Sequence, residues 1–519
     1  MHNLSCMKSF RPPRNGHICK CLICALAPKR GDFGAKTTRR KIKGRPQLHG
    51  KQAIPSASLR CNTCLSAVAI GAHGLLKHTC STKKLLSAIT STGHDRVEEV
   101  IANRVLKRKL QEKSVGSKTV EAYAESKLIQ EGKVLFDVFS VKKIELSCGP
   151  RDVVFCNDIA SLISQVISER DIKEPLLRIS IDQGQESLKM SGAILDKANL
   201  DESKIKNTKN GGVKKIFLLA IITNVSESRE TVNALYNSVD FGQFQRIICC
   251  DMKLSNILCG MTNHASHKPC SHCVWSKDDR WKEVQPQTLE YNRSQHEEFV
   301  ASDASETQLK NFANCKYKPI LEGNGKILLQ IAPSQLHCHL GIVNRIYDNL
   351  KLVFPATEEW AKSLHVVRHE YHGSGFQGNE CSKLAKNIDK LESMARSRSE
   401  KKAIKPYVQA FHSYEKLMAE FCAPQPCNES MEKLISNFQK AYDATGMIIT
   451  PKVHSFTTHF VEFIRETGFN FNTCSEQQHE SLHHDFMVEW KRTGFKDQTR
   501  ENYGRTLLDS VVRYNSFHM

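Results

Sequence analysis

Residues 250–273 read CDMKLSNILCGMTNHASHKPCSHC. The stretch follows the apolar run RIIC at 246–249, carries one acid, Asp251, and ends in the pair Cys270-x-x-Cys273. An apolar run followed by a lone acid is typical of a buried strand that presents a carboxylate at its end. Two cysteines at this spacing are typical metal ligands. The stretch therefore predicts a buried carboxylate close in sequence to half of a metal site.

Composition excludes several classes of protein. The chain has 519 residues, of which 40% are hydrophobic and 25% are charged, as in soluble globular proteins of two to four domains. No segment approaches the roughly 18 apolar residues of a membrane span, and the N-terminus lacks the apolar core of a signal peptide. We therefore expect a reducing compartment, in which pairs among the twenty cysteines bind zinc more often than they form disulfides.

Positive charge is concentrated at the N-terminus. Residues 1–60 contain fourteen Lys and Arg against one acid, Asp32, a net of +13 out of +19 for the whole chain. Such an arm indicates a polyanionic partner, most simply nucleic acid, although a solubilising tail or a nuclear-import signal in TTRRKIKGR is the alternative. The segment KIKGRPQ suits the narrow minor groove of A·T-rich DNA. The candidate DNA-binding residues are Arg39, Arg40, Lys41, Lys43 and Arg45.

The chain divides into five predicted regions. They are a basic Cys/His-rich region (1–85), a helical linker for DNA binding or dimerisation (86–172), the first part of an α/β core (173–260), a helical insertion (261–470) and a C-terminal helix (471–519). The helical prediction for 86–172 rests on DRVEEVIANRVLKRKLQEK, where apolar residues recur every three or four positions. In the α/β part, LLRISIDQG, SLKMSGAILD and KKIFLLAIITNV predict three strands, SRETVNALYNSV a helix and QRIICCD a fourth strand.

Carboxylates end the first and the fourth of these strands. Asp182 and Asp251 would repel each other at one sheet edge unless a cation lay between them, and Mg²⁺ prefers such oxygen ligands. A third carboxylate from the last helix would complete a two-metal site for phosphodiester chemistry. We expect Glu480 in that role, with Glu476 as the alternative and Ser475 as a possible helix N-cap. The competing interpretation is that both aspartates are only turn formers and helix caps.

Two sets of Cys and His residues have the spacing of zinc sites. Cys270 and Cys273 together with His454 and His459 would complete a tetrahedral structural Zn²⁺ site. In the N-terminal region, Cys61, Cys64, His78 and Cys80 form a second set. A further pair, Cys21 and Cys24, would need partners such as Cys19, His17 or a second chain.

Several motifs, taken in order, resemble one family: the catalytic subunit of the V(D)J recombinase and its RAG-like, Transib-type DDE transposase relatives, including the ProtoRAG transposases. The opening stretch is similar to the family pattern in its Asp251, Lys253-Leu254, Gly260 and Cys-x-x-Cys. The other similar segments are IDQGQ, LHCHLG, FQGNECSKL, HSFTTHF, SEQQHES and the N-terminal CLICALAPKRG. The similarity covers about residues 175–500.

The resemblance implies an RNase H-like core of the retroviral-integrase type, interrupted by a zinc-clamped helical insertion and preceded by a small zinc-binding region. It implies cleavage and strand transfer of double-stranded DNA at transposon ends with two Mg²⁺ or Mn²⁺ ions, a homodimer, a possible accessory protein and a nuclear location. Glu480 inherits the role of third acid, although SEQQHES has one residue more than the family motif. The rivals are a domesticated DNA-binding or chromatin protein without catalysis and a zinc-stabilised interaction protein.

Overall fold

A seven-stranded mixed sheet organises residues 138–519 in the computed structural model of the protein. The structure describes residues 137–184, 186–197, 215–262, 266–368, 375–423, 428–493 and 497–518, together with four two-residue strands between 59 and 75. These short strands belong to a separate unit, Met1–Asp137, and form two antiparallel pairs, Leu59–Arg60 with Ala67–Val68 and Ile70–Gly71 with Gly74–Leu75. Every predicted N-terminal metal ligand and DNA-binding residue lies outside the described residues.

The strands of the large sheet include the four predicted ones in their predicted order, with two further strands before them and one after them. They are β1 (Phe139–Leu146), β2 (Gly149–Cys156), β3 (Pro175–Gly184), β4 (Ser187–Asp196), β5 (Phe217–Thr223), β6 (Arg246–Cys249) and β7 (Ile331–Ala332). Their order across the sheet is β7-β6-β3-β4-β5-β2-β1. β6 runs parallel to both β3 and β7, whereas β3, β4, β5, β2 and β1 are successively antiparallel. All residues of β4 and β5 are buried, because helices cover the sheet.

The β1–β2 hairpin corrects the prediction that residues 86–172 are helical. The helical period of residues 95–113 does not extend to 139–156, where FSVKKIEL and GPRDVVFC are rich in β-branched residues. Gly149, with φ of +95°, forms the tight turn between the two strands. Val153 and Val154 are fully buried where β2 pairs with β5, and the hairpin thereby extends the sheet.

Helices account for most of the remaining described chain, as predicted for 261–470. Before the insertion lie α1 (Ile159–Arg170), α2 (Arg229–Tyr236) and α3 (Met252–Leu258). The insertion contains α4 (Leu289–Ala301), α5 (Gln335–Val353), α6 (Thr357–Ser363), α7 (Gly378–Lys386), α8 (Ile388–Met394), α9 (Arg398–Phe421), α10 (Asn428–Ala444) and α11 (Pro451–Thr467). The chain then returns to the sheet with α12 (Gln477–Thr493) and α13 (Tyr503–His518). No described helix is long and apolar enough to cross a membrane.

Among the described residues, two of the apolar cores bear on the site. The helical insertion has its own core, in which Tyr414, Phe421, Phe456 and Phe460 pack as an aromatic cluster. A smaller core joins the sheet to α11 and to the segment after it, and comprises Leu176, Leu195, Ile247, Cys249, Leu328, Ala332, Phe463, Phe469 and Cys474. The second core packs the segment that precedes α12 against β3 and β6.

Candidate active site and candidate metal centre

Asp182 and Asp251 lie at the same level of two neighbouring strands. β3 and β6 pair in parallel with Ser180 opposite Cys249, and each aspartate comes two residues later in its strand direction. Side chains two residues apart point to the same side of a sheet, so this register directs both carboxylates to one edge. The sequence prediction that these two strands are neighbours is confirmed.

Asp251 is also the N-cap of α3. Its Oδ1 atom accepts a hydrogen bond from the backbone N–H of Leu254 at 2.7 Å. The simpler interpretation of this aspartate, as a helix cap, is therefore realised in the structure. It does not preclude a second role, because a carboxylate has two oxygens and accepts several bonds.

Glu476 approaches the aspartates from the last residue before α12. It is 6% exposed, and its Oε2 accepts a hydrogen bond from Ser334 Oγ at 2.8 Å. His337 Nδ1 lies 2.9 Å from the same oxygen. The other oxygen, Oε1, is buried and has no hydrogen-bond partner in the described part of the chain. A buried carboxylate oxygen without a partner is costly unless a cation binds it.

Glu480, the acid favoured from the sequence, lies in the first turn of α12 and is exposed. The helix begins at Gln477 rather than directly after Ser475, which leaves Glu476 in the connecting segment. The charges of Asp251 and Glu476 act on Asp182, but the ligand atoms of these three acids do not all lie within 4.8 Å of one another, and Glu480 is exposed. A one-residue difference in the start of the helix decides which of the two acids is buried.

The charges of the three acids act on one another. Burial, together with the negative charges of Asp251 and Glu476, raises the pKa of Asp182 to about 7 against the opposing charge of His337. Burial lowers the pKa of His337, but Glu476 and Asp251 outweigh it and raise the value to about 9. A fourth acid, Glu227, has its pKa raised by burial and by the same two aspartates. Such a concentration of negative charge favours a cation at this sheet edge.

The segment before Glu476 is fastened to the sheet by buried contacts. Arg178 on β3 is 2% exposed and donates from Nη1 to the carbonyl oxygen of Thr473 at 2.9 Å. Cys474 lies against Cys249 on β6, and this contact together with burial raises the pKa of the Cys249 thiol. The two strands that carry the aspartates therefore also hold the segment that carries Glu476.

A polar layer lies between β4 and α12 and contacts Asp182. The side chains of Ser187, Lys189 and Ser191 alternate along β4 and face two histidines of α12, although the strand is fully buried. His479 Nδ1 lies 2.6 Å from Ser191 Oγ, and His483 Nε2 lies 2.8 Å from Asp182 Oδ2. Burial lowers the pKa of Lys189 to about 7, against the opposing effect of Asp182. Burial and the charge of Lys189 lower the pKa of His483 to about 3.

The predicted tetrad of Cys270, Cys273, His454 and His459 comes together at a second position. One ligand atom from each residue lies within 4.8 Å of the others, and all four side chains are at most 1% exposed. Cys270 Sγ lies 3.3 Å from His459 Nε2, and Cys273 Sγ lies 3.2 Å from His454 Nε2. These groups could hold a metal ion. The tetrad joins the segment after α3 to α11, although 181 residues separate Cys273 from His454.

Neighbouring side chains orient the tetrad. The ring of Trp275 stacks on His454 with a centroid distance of 4.4 Å and an interplanar angle of 6°. His459 Nδ1 lies 3.3 Å from Glu462 Oε2, which fixes the ring with Nε2 toward the thiols. A carboxylate on the far nitrogen is the usual support of a metal-binding histidine.

Several residues of these sites escaped sequence reasoning. His337, Glu227 and Lys189 belong to no motif with metal-ligand spacing, and they reach the site only through tertiary contacts. His479 and His483 do have such spacing, since residues 479–483 read HESLH, two histidines at i and i+4 of one helix. One signal was present: Ser, Lys and Ser alternate in SLKMSGAILD, a run otherwise suited to a buried strand. Polar residues at every second position of such a strand indicate a buried polar partner on one face.

Comparison with known proteins adds one match. A family model described as a domain of unknown function (DUF8703) matches residues 144–309. The match includes both aspartates and the cysteine pair, and it ends before the histidine pair and Glu476. No curated protein matches the chain. The family description names no chemistry, so the chemistry of the site follows from its geometry.

Proposed function

We propose that the protein is a metal-dependent DNA transposase or recombinase with an RNase H-like core. The order and direction of five strands support this fold: β3, β4 and β5 are antiparallel neighbours, and β6 and β7 add in parallel on the other side of β3. The resemblance of the sequence motifs to RAG-like transposases points to the same fold. The hairpin β1–β2 then extends the far edge of that core.

The observation that carries the proposal is that three acids near one sheet edge interact electrostatically. Asp182 and Asp251 end parallel neighbouring strands, and Glu476 reaches them from the segment before α12. Burial and mutual repulsion make this arrangement unfavourable without a cation, and Glu476 Oε1 is a buried oxygen without a partner among the described residues. We therefore assign Glu476, in place of Glu480, as the third metal-binding acid.

These three residues would hold two Mg²⁺ or Mn²⁺ ions. When bound, the ions supply an activated water and neutralise the charge that develops on the attacking and leaving oxygens of a phosphodiester. Ser334 and His337 hold Oε2 of Glu476, and Oε1, which has no hydrogen-bond partner among the described residues, would be the oxygen that binds the ion. The DNA 3′-OH released by the first cleavage then attacks a second phosphodiester, which joins the end to new DNA or closes a hairpin.

We propose that the Cys₂His₂ tetrad binds structural Zn²⁺. Two thiolates and two imidazoles are a preferred zinc set, and four protein ligands leave no open position for chemistry. The ion would clamp the ends of the helical insertion together and thereby hold α11 and the following segment on the sheet. We further propose that the basic N-terminal arm binds double-stranded DNA, that the protein acts in the nucleus as a homodimer, and that an accessory protein could assist it.

Matched substitutions of the two glutamates test the proposal. We expect Glu476→Gln to reduce Mn²⁺-dependent nicking of a supercoiled plasmid carrying the genomic flanks of the gene by at least about 1000-fold, since an uncharged amide is a poor ligand for such ions. Glu480→Gln should nick within about twofold of the wild type, since its side chain is exposed.

The result distinguishes the alternatives. Loss of nicking in Glu480→Gln but not in Glu476→Gln would return the role to Glu480. A wild-type protein that binds the DNA but never cleaves it with Mg²⁺ or Mn²⁺ would instead identify a domesticated DNA-binding protein.

A further inference from the structure

We infer that His483 is a positioning residue that orients the Asp182 carboxylate, and that Lys189 sets the tautomer of His483. The inference rests on the proposed function, because Asp182 is treated as a metal-binding acid. It names a chain of Lys189, His483 and Asp182, of which only Asp182 belongs to the three acids. The chain connects β4, α12 and β3, so it also couples the position of α12 to the metal-binding edge.

Lys189 fixes the hydrogen-bonding role of His483 Nδ1. The lysine is fully buried, and its Nζ lies 3.0 Å from Gly184 O, 2.5 Å from Ser187 Oγ and 2.9 Å from His483 Nδ1. Ser187 Oγ donates its own proton to Gly184 O at 2.9 Å and therefore accepts from the lysine. In the ammonium form of Lys189, three acceptors match its three N–H groups, so the network then assigns His483 Nδ1 as an acceptor.

In the resulting tautomer, His483 donates a hydrogen bond from Nε2 to Asp182. A neutral imidazole whose Nδ1 accepts carries its proton on Nε2, and Nε2 lies 2.8 Å from Asp182 Oδ2. One carboxylate oxygen is thus held by His483, which leaves Oδ1 for a metal ion. Hydrogen bonds to ligating carboxylates of this kind tune metal affinity.

Gly184 makes the close approach of His483 possible. A Cβ atom at position 184 would lie 2.6 Å from His483 Nδ1 and 2.7 Å from its Cγ. Any side chain there would push the imidazole away from both Lys189 and Asp182. This gives the Asp182-x-Gly184 motif a physical meaning: the glycine provides the space for the histidine that holds the aspartate.

A different role for the same residues is less consistent with the network. Asp182, His479 and His483 place ligand atoms within 4.8 Å of one another, as three ligands of one ion would. Metal binding at His483 Nε2 would require the proton on Nδ1, and the buried ammonium of Lys189 would then face a donor. The hydrogen-bonded chain satisfies Lys189, His483 and Asp182 Oδ2, which the three-ligand site does not, although the chain leaves the buried His479 Nε2 without a hydrogen-bond partner among the described residues.

Mn²⁺ binding to the full-length protein, followed by electron paramagnetic resonance of the free ion, tests the inference without requiring DNA or activity. We expect His483→Ala to weaken Mn²⁺ binding about 10- to 100-fold. His483→Gln, whose amide can still donate to Asp182, should recover most of the affinity. The matched control is His484→Ala, since His484 is the exposed neighbour on the same helix and should bind as the wild type does.

Each outcome supports or overturns the positioning role. Equal Mn²⁺ affinity for His483→Ala and wild type, with binding lost in Asp182→Asn, would overturn the inference and leave the proposed function standing. A wild-type protein that binds no Mn²⁺ would overturn both. If His483→Gln does not recover Mn²⁺ affinity, the positioning role is also overturned. If the protein binds Zn²⁺ and loses it in both His479→Ala and His483→Ala, the three-ligand site replaces the positioning role. Gly184→Ala, which displaces the ring without removing it, should weaken Mn²⁺ binding in the same direction as His483→Ala, and unchanged binding would contradict the inference.

Discussion

Glu476 and Glu480 illustrate how much depends on single residues. Both acids belong to SEQQHES, but Glu476 precedes α12 and is buried beside Ser334 and His337, whereas Glu480 lies in the first turn and is exposed.

Gly260 is a second position at which one residue type is decisive. It follows α3 with φ of +78°, and a Cβ atom there would lie 2.1 Å from the backbone oxygen of Tyr317. Only glycine satisfies both constraints.

We therefore predict that Gly260→Ala lowers the free energy of unfolding by at least about 2 kcal/mol, from backbone strain and from overpacking against a backbone atom that cannot rotate away. Urea unfolding measures the change. Gly325→Ala is the control, because no described atom lies within 4 Å of its Cβ position, and it should stay within about 0.5 kcal/mol of the wild type. Equal midpoints for the two variants would contradict the prediction.

At the scale of elements, the residue that precedes α3 has two roles. Asp251 caps the helix through Leu254 N–H and presents its carboxylate at the sheet edge. The segment after the same helix carries Cys270 and Cys273, which meet the histidines of α11. The element therefore lies between the two sites, and its contacts to each can be separated by substitution.

Asp251→Asn should separate the cap from the metal ligand. Asparagine caps helices about as well as aspartate, so we expect the free energy of unfolding to stay within about 0.5 kcal/mol of the wild type, while Asp251→Ala loses about 1 kcal/mol. Both variants should lose metal-dependent nicking. Chemical denaturation and the plasmid assay measure the two effects, and an active Asp251→Asn would show that this residue is only a cap.

Removal of a tetrad ligand should loosen the insertion. We expect Cys273→Ser to bind one Zn²⁺ fewer per chain than the wild type, by mass spectrometry of the metal content, and to have a Tm lower by at least about 5 °C. Cys148→Ser removes an exposed thiol and should change neither value. Unchanged zinc content in Cys273→Ser would exclude the tetrad as a zinc site.

At the scale of the whole molecule, charge is unevenly distributed. Residues 1–60 have a net charge of +13, whereas the acids near the sheet edge concentrate negative charge. In the proposed function a basic arm and an acidic metal site are complementary, because the arm would bind phosphates and the acids would bind the ions that act on them.

Substitution of Arg39, Arg40, Lys41, Lys43 and Arg45 by Gln should weaken DNA binding and reduce its dependence on salt. Because each phosphate contact contributes about 0.9 to the slope of log K against log salt concentration, we expect the slope to fall by up to about 4.5. The control changes five exposed lysines of the described chain to Gln: Lys143, Lys173, Lys277, Lys282 and Lys310. An equal loss of slope in the control would show that net charge, and not the arm, governs binding.

Local patterns in the sequence were sufficient for much of the fold. Strand propensity and apolar runs predicted β3, β4, β5 and β6, and the acids after the first and last of these were recognisable because strands end at polar residues. The Cys and His spacing predicted the tetrad that the structure brings together. The β1–β2 hairpin was missed, since a strong helical period upstream was extended beyond its range.

Tertiary structure alone decided which glutamate interacts with the aspartates and which histidine contacts Asp182. His483 meets Asp182 across 301 residues, and Arg178 holds Thr473 across 295. Periodicity determines which face of an element is buried, because it depends on neighbours three or four residues away. It carries no information about where a helix begins when a distant strand holds the preceding segment. The start of α12, and with it the choice of Glu476, is set by those long-range contacts.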